Sequence, residues 1–311
     1  MTSSLRTSAR GRLSAPVLIA IAVTVLAWAS AFVVIRGSGL HFSGGAIALG
    51  RLAIAAPLLA ILVAVGRTWV RPTGREWLQL VAFGALWFGV YNVVLSVAEQ
   101  SLDAGTAAMI VGIGPILIAL GAVAFLRERL SLWLAIGAGV AFLGVALIGV
   151  ATGIAGLASV GVLWALAAAI TYAAGVLFQK PTLRRLPSAQ VTFIGCVVGL
   201  LVCLPFTGEL VRDVASAPLS STLGVVYLGI VPTALAFSTW GYALARVPAG
   251  QLGIATYLVP PVAIVLGLVM LGEVPAPLAI AGGVVSLVGV ALSRRTGRPD
   301  RPVRAHGDDT A

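Results

Sequence analysis

The chain has 311 residues, 59% of them hydrophobic and 10% charged, where soluble globular domains are about one quarter charged. A fold in water has too little interior to hide that much apolar surface, so a soluble enzyme or binding module is excluded. The formal net charge of +10 is spread over short connections and not gathered in one basic patch, which removes the nucleic-acid reading of it.

In chain order, the runs Val17–Ile35, Trp77–Ala98, Thr106–Leu126, Leu132–Ala151 and Leu252–Leu271 carry no formal charge. Each approaches the roughly 20 residues with which an α-helix crosses a bilayer. Strands of a membrane barrel run about 9–11 residues and alternate apolar with polar. These runs are unbroken, so helices, which satisfy their backbone internally, are predicted instead. Breaks fall at Arg36–Gly44, Arg67–Arg75, Gln100–Gly105, Arg127–Ser131, Thr152–Gly156, Lys180–Ser188, Thr207–Pro218, Arg246–Gly250 and Gly272–Pro277, giving ten predicted spans.

Lys and Arg concentrate in short cytoplasmic loops, which provides an independent check. With both termini cytoplasmic, the inner set is Arg6, Arg10, Arg12, Arg67, Arg71, Arg75, Arg127, Arg129, Lys180, Arg184, Arg185, Arg246, Arg294, Arg295, Arg298, Arg301 and Arg304, seventeen of the twenty basic residues. Arg36 and Arg212 fall outside and Arg51 within a span. The basic start and "AWASA" (Ala27–Ala31) could pass for a cleavable signal, but apolar sequence continues to Ile35 and the segment has an internal counterpart. Cys196 and Cys203 lie seven residues apart on one predicted helix, about 10 Å along its axis, too far for a disulfide. No metal-ligand spacing accompanies them, and no metal or cofactor is expected.

Sliding the chain on itself by 145 residues brings Pro115 onto Pro260, Leu126 onto Leu271, Glu128 onto Glu273, Gly137 onto Gly282 and "GVAL" at Gly144–Leu147 onto "GVAL" at Gly289–Leu292. Ala104-Gly105 meets Ala249-Gly250, and a shift of 144 sets "WASAFVVIR" (Trp28–Arg36) against "YAAGVLFQK" (Tyr172–Lys180). The expected organisation is a tail at 1–14, a five-helix repeat at 15–152, a second at 156–295 and a disordered cytoplasmic tail at 296–311. Because five is odd, equivalent helices must cross in opposite directions, with Glu128 cytoplasmic and Glu273 outside. Inverted repeats are a construction of secondary transporters.

Ten spans, a tandem five-helix repeat, and in each half a Pro-containing helix ending in Glu before a Gly-rich helix closing on "GVAL" resemble the drug/metabolite transporter superfamily, in its EamA branch. The resemblance covers Val17 to Arg295; the first half reads Arg127-Glu128 where the second reads Gly272-Glu273. It implies a multi-pass protein of the cytoplasmic membrane that works by alternating access and exports an amino acid, another small metabolite or a xenobiotic. Carriers of lipid-linked or nucleotide-linked sugars share the wider superfamily, and a non-transporting scaffold is a third class; the short loops leave the last little surface to act through. No HExxH, phosphate loop or nucleophile–His arrangement points to an enzyme.

Polar and aromatic residues near mid-span need partners, and so are expected to face the bundle interior or an aqueous cavity. They are Trp28, Ser30, Tyr91, Asn92, Tyr172, Ser238, Thr239, Trp240, Thr256 and Tyr257. Helix packing accounts for any one of them; together they come from the spans that the resemblance places around a central cavity. An aromatic, hydroxyl-lined cavity without a mid-membrane charge is the expectation. Arg51 either snorkels outward or partners Glu99 or a substrate carboxylate. Glu128 and Glu273 read as caps and anchors of the next helix, with gating or proton coupling as the alternative. Pro115 and Pro260 predict kinks in the fourth and ninth spans. Energy coupling stays open between uniport, exchange and protons carried by Glu99, Asp103 or the substrate. Gly-rich fifth and tenth spans pack either within one chain or between two copies of a homodimer.

Overall fold

The computed structural model describes residues 14–67, 69–126, 132–151, 157–244, 246 and 255–292. Among them there is no strand: the elements are helices joined by tight turns. They are α1 (Ala15–Ser38), α2 (Gly44–Gly66), α3 (Gly74–Phe83), α4 (Tyr91–Ala98), α5 (Ala104–Val111), α6 (Gly114–Leu126), α7 (Leu132–Ala151) and α8 (Leu157–Thr182). Then come α9 (Ser188–Cys203), α10 (Thr207–Ser216), α11 (Leu219–Leu228), α12 (Ala236–Leu244), α13 (Val259–Leu271) and α14 (Pro277–Leu292). Among the described residues, six helical stretches are long and apolar enough to cross a membrane, and four shorter apolar helices accompany them. Large apolar side chains point outward from these helices, such as Val65 at 76% and Val269 at 75% exposure, as lipid-facing surfaces require.

Polar residues set where the helices start. Ser43 accepts from the Ala46 N–H, and Asp103 accepts from the Thr106 N–H at 2.8 Å. Thr73 and Glu76 form a reciprocal capping box at the start of α3. Glu76 also receives Arg185, and the carboxylate holds that guanidinium above its ordinary pKa. Gln190 donates to the Val70 carbonyl and accepts from its N–H, so the turn before α3 is tied to the first turn of α9. Thr73→Ala removes the hydroxyl side of the box, leaving the backbone N–H on Glu76, and is expected to cost about 1 kcal/mol, read as a lower thermal midpoint of the purified protein in detergent.

Two segments, Gly84–Val90 and Gly229–Leu235, are π-helical, and they stand 145 positions apart, the offset of the sequence repeat. Each widens a turn of its helix by one residue, and a polar side chain bonds to carbonyls there. Asn92 Nδ2 donates to the carbonyls of Phe88 at 2.8 Å and Trp87 at 3.3 Å. Thr233 Oγ1 donates to Leu228 O at 2.7 Å, beside Pro232, which has no N–H to give. The proline-bearing spans are interrupted as expected. Gly112 and Ile113 separate α5 from α6, and a 3₁₀ turn, Thr256–Leu258, leads into α13 at Val259-Pro260. The two interruptions meet: a Cβ on Gly112 would lie 3.4 Å from Pro260 Cγ.

Two expectations are corrected. The predicted break at Thr207–Pro218 is instead mostly helix, α10, because its Glu209 and Asp213 bind Ser43 at the start of α2 while Leu210 packs inward. Arg51 does not snorkel: it is 4% exposed, deep among α2, α9 and the π segment. Glu128 lies outside the described residues.

The Gly-rich helices α7 and α14 pack against each other within one chain. A Cβ on Gly144 would come within 2.4 Å of Gly282 O, and one on Gly289 within 2.3 Å of the Ala141 N. Small residues here let two backbones touch, the packing that replaces the hydrophobic effect in lipid. Elsewhere the repeats interleave. α1 packs against α11, α12 and α13, and α8 against α3, α4 and α6, which leaves a space between them at the centre.

Candidate substrate cavity

The central space is a cavity of about 80 Å³, room for roughly half a dozen water-sized groups at about 10–15 Å³ each. α1 brings Trp28, Ala31 and Phe32; α4 brings Tyr91, Asn92 and Leu95, with Trp87 from the π segment before it; α8 brings Tyr172. Ala108, Val111, Gly112, Pro115, Thr256, Val259 and Pro260 come from the two interrupted spans, and Phe237 and Arg51 complete the wall.

Rings dominate this lining and hold one another. Trp87 lies 5.0 Å from Tyr172 and 5.1 Å from Phe237, and Trp28 lies 5.5 Å from Phe237, centroid to centroid. Tilted and edge-on pairs at such distances favour a fixed box. Glycines make it possible: a Cβ on Gly175 would sit 2.7 Å from Trp87 Cβ, and one on Gly114 only 2.3 Å from Tyr172 Cε1.

The expectation of a charge-free cavity is wrong, because Arg51 is on its wall. Its Nε donates to Thr233 Oγ1 at 3.0 Å, and Thr233 is itself fixed to the π-segment carbonyl of Leu228. A guanidinium has five N–H donors. Among the described residues, Thr233 is its one hydrogen-bond acceptor, and no carboxylate forms an ion pair with it. A buried cation in that condition calls for an anionic partner.

The remaining predicted residues are placed as follows. Ser30 turns away from the cavity to bond Tyr227 OH at 2.8 Å, joining α1 to α11. Ser238 bonds back to Ala234 O and lines a shallow outer groove with Thr239 and Tyr242. Trp240 stands behind Trp28 at 5.1 Å, and Tyr257 packs with Ile113 and Ile116. Glu99 lies one turn beyond Leu95, and Glu273 pairs with Arg36 at 2.9 Å. Sequence reasoning missed Trp87, Phe237 and Phe32; their aromatic character was the available signal. Ser30→Ala and Ser238→Ala are therefore expected to change substrate exchange by less than about twofold. Gly114→Ala, which drives the Tyr172 ring into the cavity, should lower it about tenfold or more, a displacement worth roughly 1–3 kcal/mol. Exchange assays on reconstituted variants check both.

A helical bundle of this span composition, closed around a cavity built jointly by two repeats, is the architecture of a membrane transporter. Comparison with known proteins agrees. The model of the EamA-like transporter family matches twice, at residues 15–150 and 159–295. The probable terminal-alkyne amino-acid exporter of Streptantibioticus cattleyicolor is 38% identical over 89% of this chain and 93% of its own. The probable amino-acid metabolite efflux pump of Salmonella typhimurium is 27% identical over 92% of this chain and 97% of its own. A crystal structure 22% identical, covering 91% of this chain and 98% of that one, has a TM-score of 0.60 and shares the fold. The chain belongs to the EamA-like transporter family.

Proposed function

We propose that the protein exports small amino-acid-type metabolites across the cytoplasmic membrane by alternating access, with ten spans, inverted repeats and both termini in the cytoplasm. The observation that carries the substrate class is Arg51, a buried guanidinium with unused donors on the wall of an aromatic box. The substrate carboxylate pairs with Arg51, and its side chain stacks among Trp28, Trp87, Tyr172 and Phe237, with Tyr91, Asn92 and Thr256 offering hydrogen bonds. Charge-assisted bonds of this type are the strong ones. Two relatives carry names that speak of amino-acid export, which agrees with a carboxylate anchor.

The interruptions at Gly112–Pro115 and Thr256–Pro260 supply the hinges, since bending there opens one end of the cavity and closes the other. A mostly apolar, aromatic lining with the single cation Arg51 weighs against highly charged lipid-linked and nucleotide-linked sugars. The test is counterflow into proteoliposomes, with aromatic and branched amino acids set against their decarboxylated amines. Saturable exchange confined to the carboxylates supports the reading. Exchange of the amines at equal rates, or of neither, opposes it.

A further inference from the structure

Glu99 is a titratable group that the substrate site leaves unused. Its side chain is 1% exposed, and neither carboxylate oxygen has a hydrogen-bond partner among the described residues. It sits four residues after Leu95 and seven after Asn92, on the stripe of the helix that lines the cavity, about 6 Å beyond Leu95 along the axis. It is also the first residue after the helical span Gly74–Ala98, at the end of the bundle where three elements are tied by one side chain. Arg36, near the end of α1, donates Nε to Glu273 Oε1 at 2.9 Å and Nη1 to the carbonyls of Glu99 at 2.9 Å and Gln100 at 3.1 Å. Glu273 belongs to the joint between α13 and α14, and its second oxygen is unpartnered among the described residues. The charged groups facing Glu99 are Arg36 of α1, Arg51 of α2, Glu273 of that joint and Asp103 at the start of α5. Neither cation forms an ion pair with Glu99: Arg36 is paired with Glu273, and Arg51 donates its Nε to Thr233.

A carboxylate this buried, with no hydrogen-bond partner among the described residues, favours its protonated form; ionised, it needs one of those guanidiniums. Arg36 already touches the Glu99 backbone, so it is the partner within shortest reach. We propose that Glu99 is a proton-binding site that controls a latch: protonated, it leaves Arg36 on Glu273 and the α1 end fastened to the α13–α14 joint; ionised, it draws Arg36 away and releases that joint. Resting on the transport reading above, the latch gives the cycle a direction. A proton entering from outside fastens this end of the cavity, and its departure, with substrate aboard, frees it, so that protons are exchanged for substrate.

The test reads the proton without substrate: infrared titration of the carboxylic-acid carbonyl band in the purified full-length protein, its Glu99→Gln variant and its Glu273→Gln variant. The expected result is a band that titrates in the parent, is missing from Glu99→Gln, and titrates at a midpoint lower by about one pH unit in Glu273→Gln, where Arg36 is free to pair with ionised Glu99. In parallel, a cysteine replacing Gly37 in a background with Cys196 and Cys203 removed should react with an impermeant maleimide about tenfold faster when Glu99 is ionised than when it is protonated, relative to denatured protein at the same pH. Identical spectra for the parent and Glu99→Gln at every pH, or a midpoint unmoved in Glu273→Gln, would overturn the proposal. Should Glu99→Gln fail to fold, the Glu273→Gln midpoint still decides. An intact titrating band with no counterflow would remove only the transport reading and leave the proton site standing.

Discussion

Arg51→Gln should cut exchange of amino-acid substrates by about ten- to a hundredfold while leaving exchange of a decarboxylated analogue, if any is measurable, nearly unchanged. A hydrogen bond to a charged group contributes roughly 1.5–3 kcal/mol, and about 1.4 kcal/mol is a factor of ten in binding. Glutamine reaches toward Thr233 with a neutral donor, so the π segment keeps a partner near the Thr233 hydroxyl. Taking an unpaired cation out of the interior also relieves its desolvation, and the variant is expected to melt no lower than the parent. A loss of exchange with unchanged melting identifies Arg51 as a substrate contact. A parallel loss of both would make it a structural residue.

The largest effect on stability is expected at the seam between α7 and α14. Gly144→Val sets new atoms against the backbone of α14, Gly282 O and Ser286 N each at 2.4 Å from the added Cβ. Backbone cannot rotate out of the way as a side-chain tip can, so the helices must separate along their length. Overpacking a well-filled site costs about 1–3 kcal/mol and sometimes more, and the helices have little else to hold them in lipid. The yield of monodisperse protein in detergent should collapse. Gly139→Val is the control: it lies on the same helix with nothing within 4 Å of its added Cβ, and should behave as the parent does.

Sequence alone carries the helical spans and the repeat, because uninterrupted apolar runs and matched Pro, Glu and Gly positions are one-dimensional signals. The interruptions at Pro115 and Pro260 were legible for the same reason, since proline acts locally. The π segments were not. An extra residue in a turn leaves no periodic trace, yet it rotates everything after it by about one residue, roughly 100°. Ser238 and Trp240 follow the Gly229–Leu235 segment, and both sit off the cavity wall that their sequence positions suggested. Trp87 and Phe237 were overlooked because an aromatic residue at mid-span looks the same facing lipid or a cavity. Arg51 was left between two readings because its burial depends on α9 and the second π segment, more than 130 residues away. The break expected at Thr207–Pro218 failed because charges in α10 serve Ser43 of another element, a purpose invisible along the chain.

In alternating access, one cavity is reached in turn from each side of the membrane. A single cysteine replacing Val111, on the cavity wall between Ala108 and Gly112, tests it most directly, with Cys196 and Cys203 removed. In right-side-out and inside-out vesicles, an impermeant thiol reagent should modify that cysteine from both faces, and an exported amino acid should slow the reaction from both. Modification from one face alone, or from both without any protection by substrate, would contradict alternating access through this cavity.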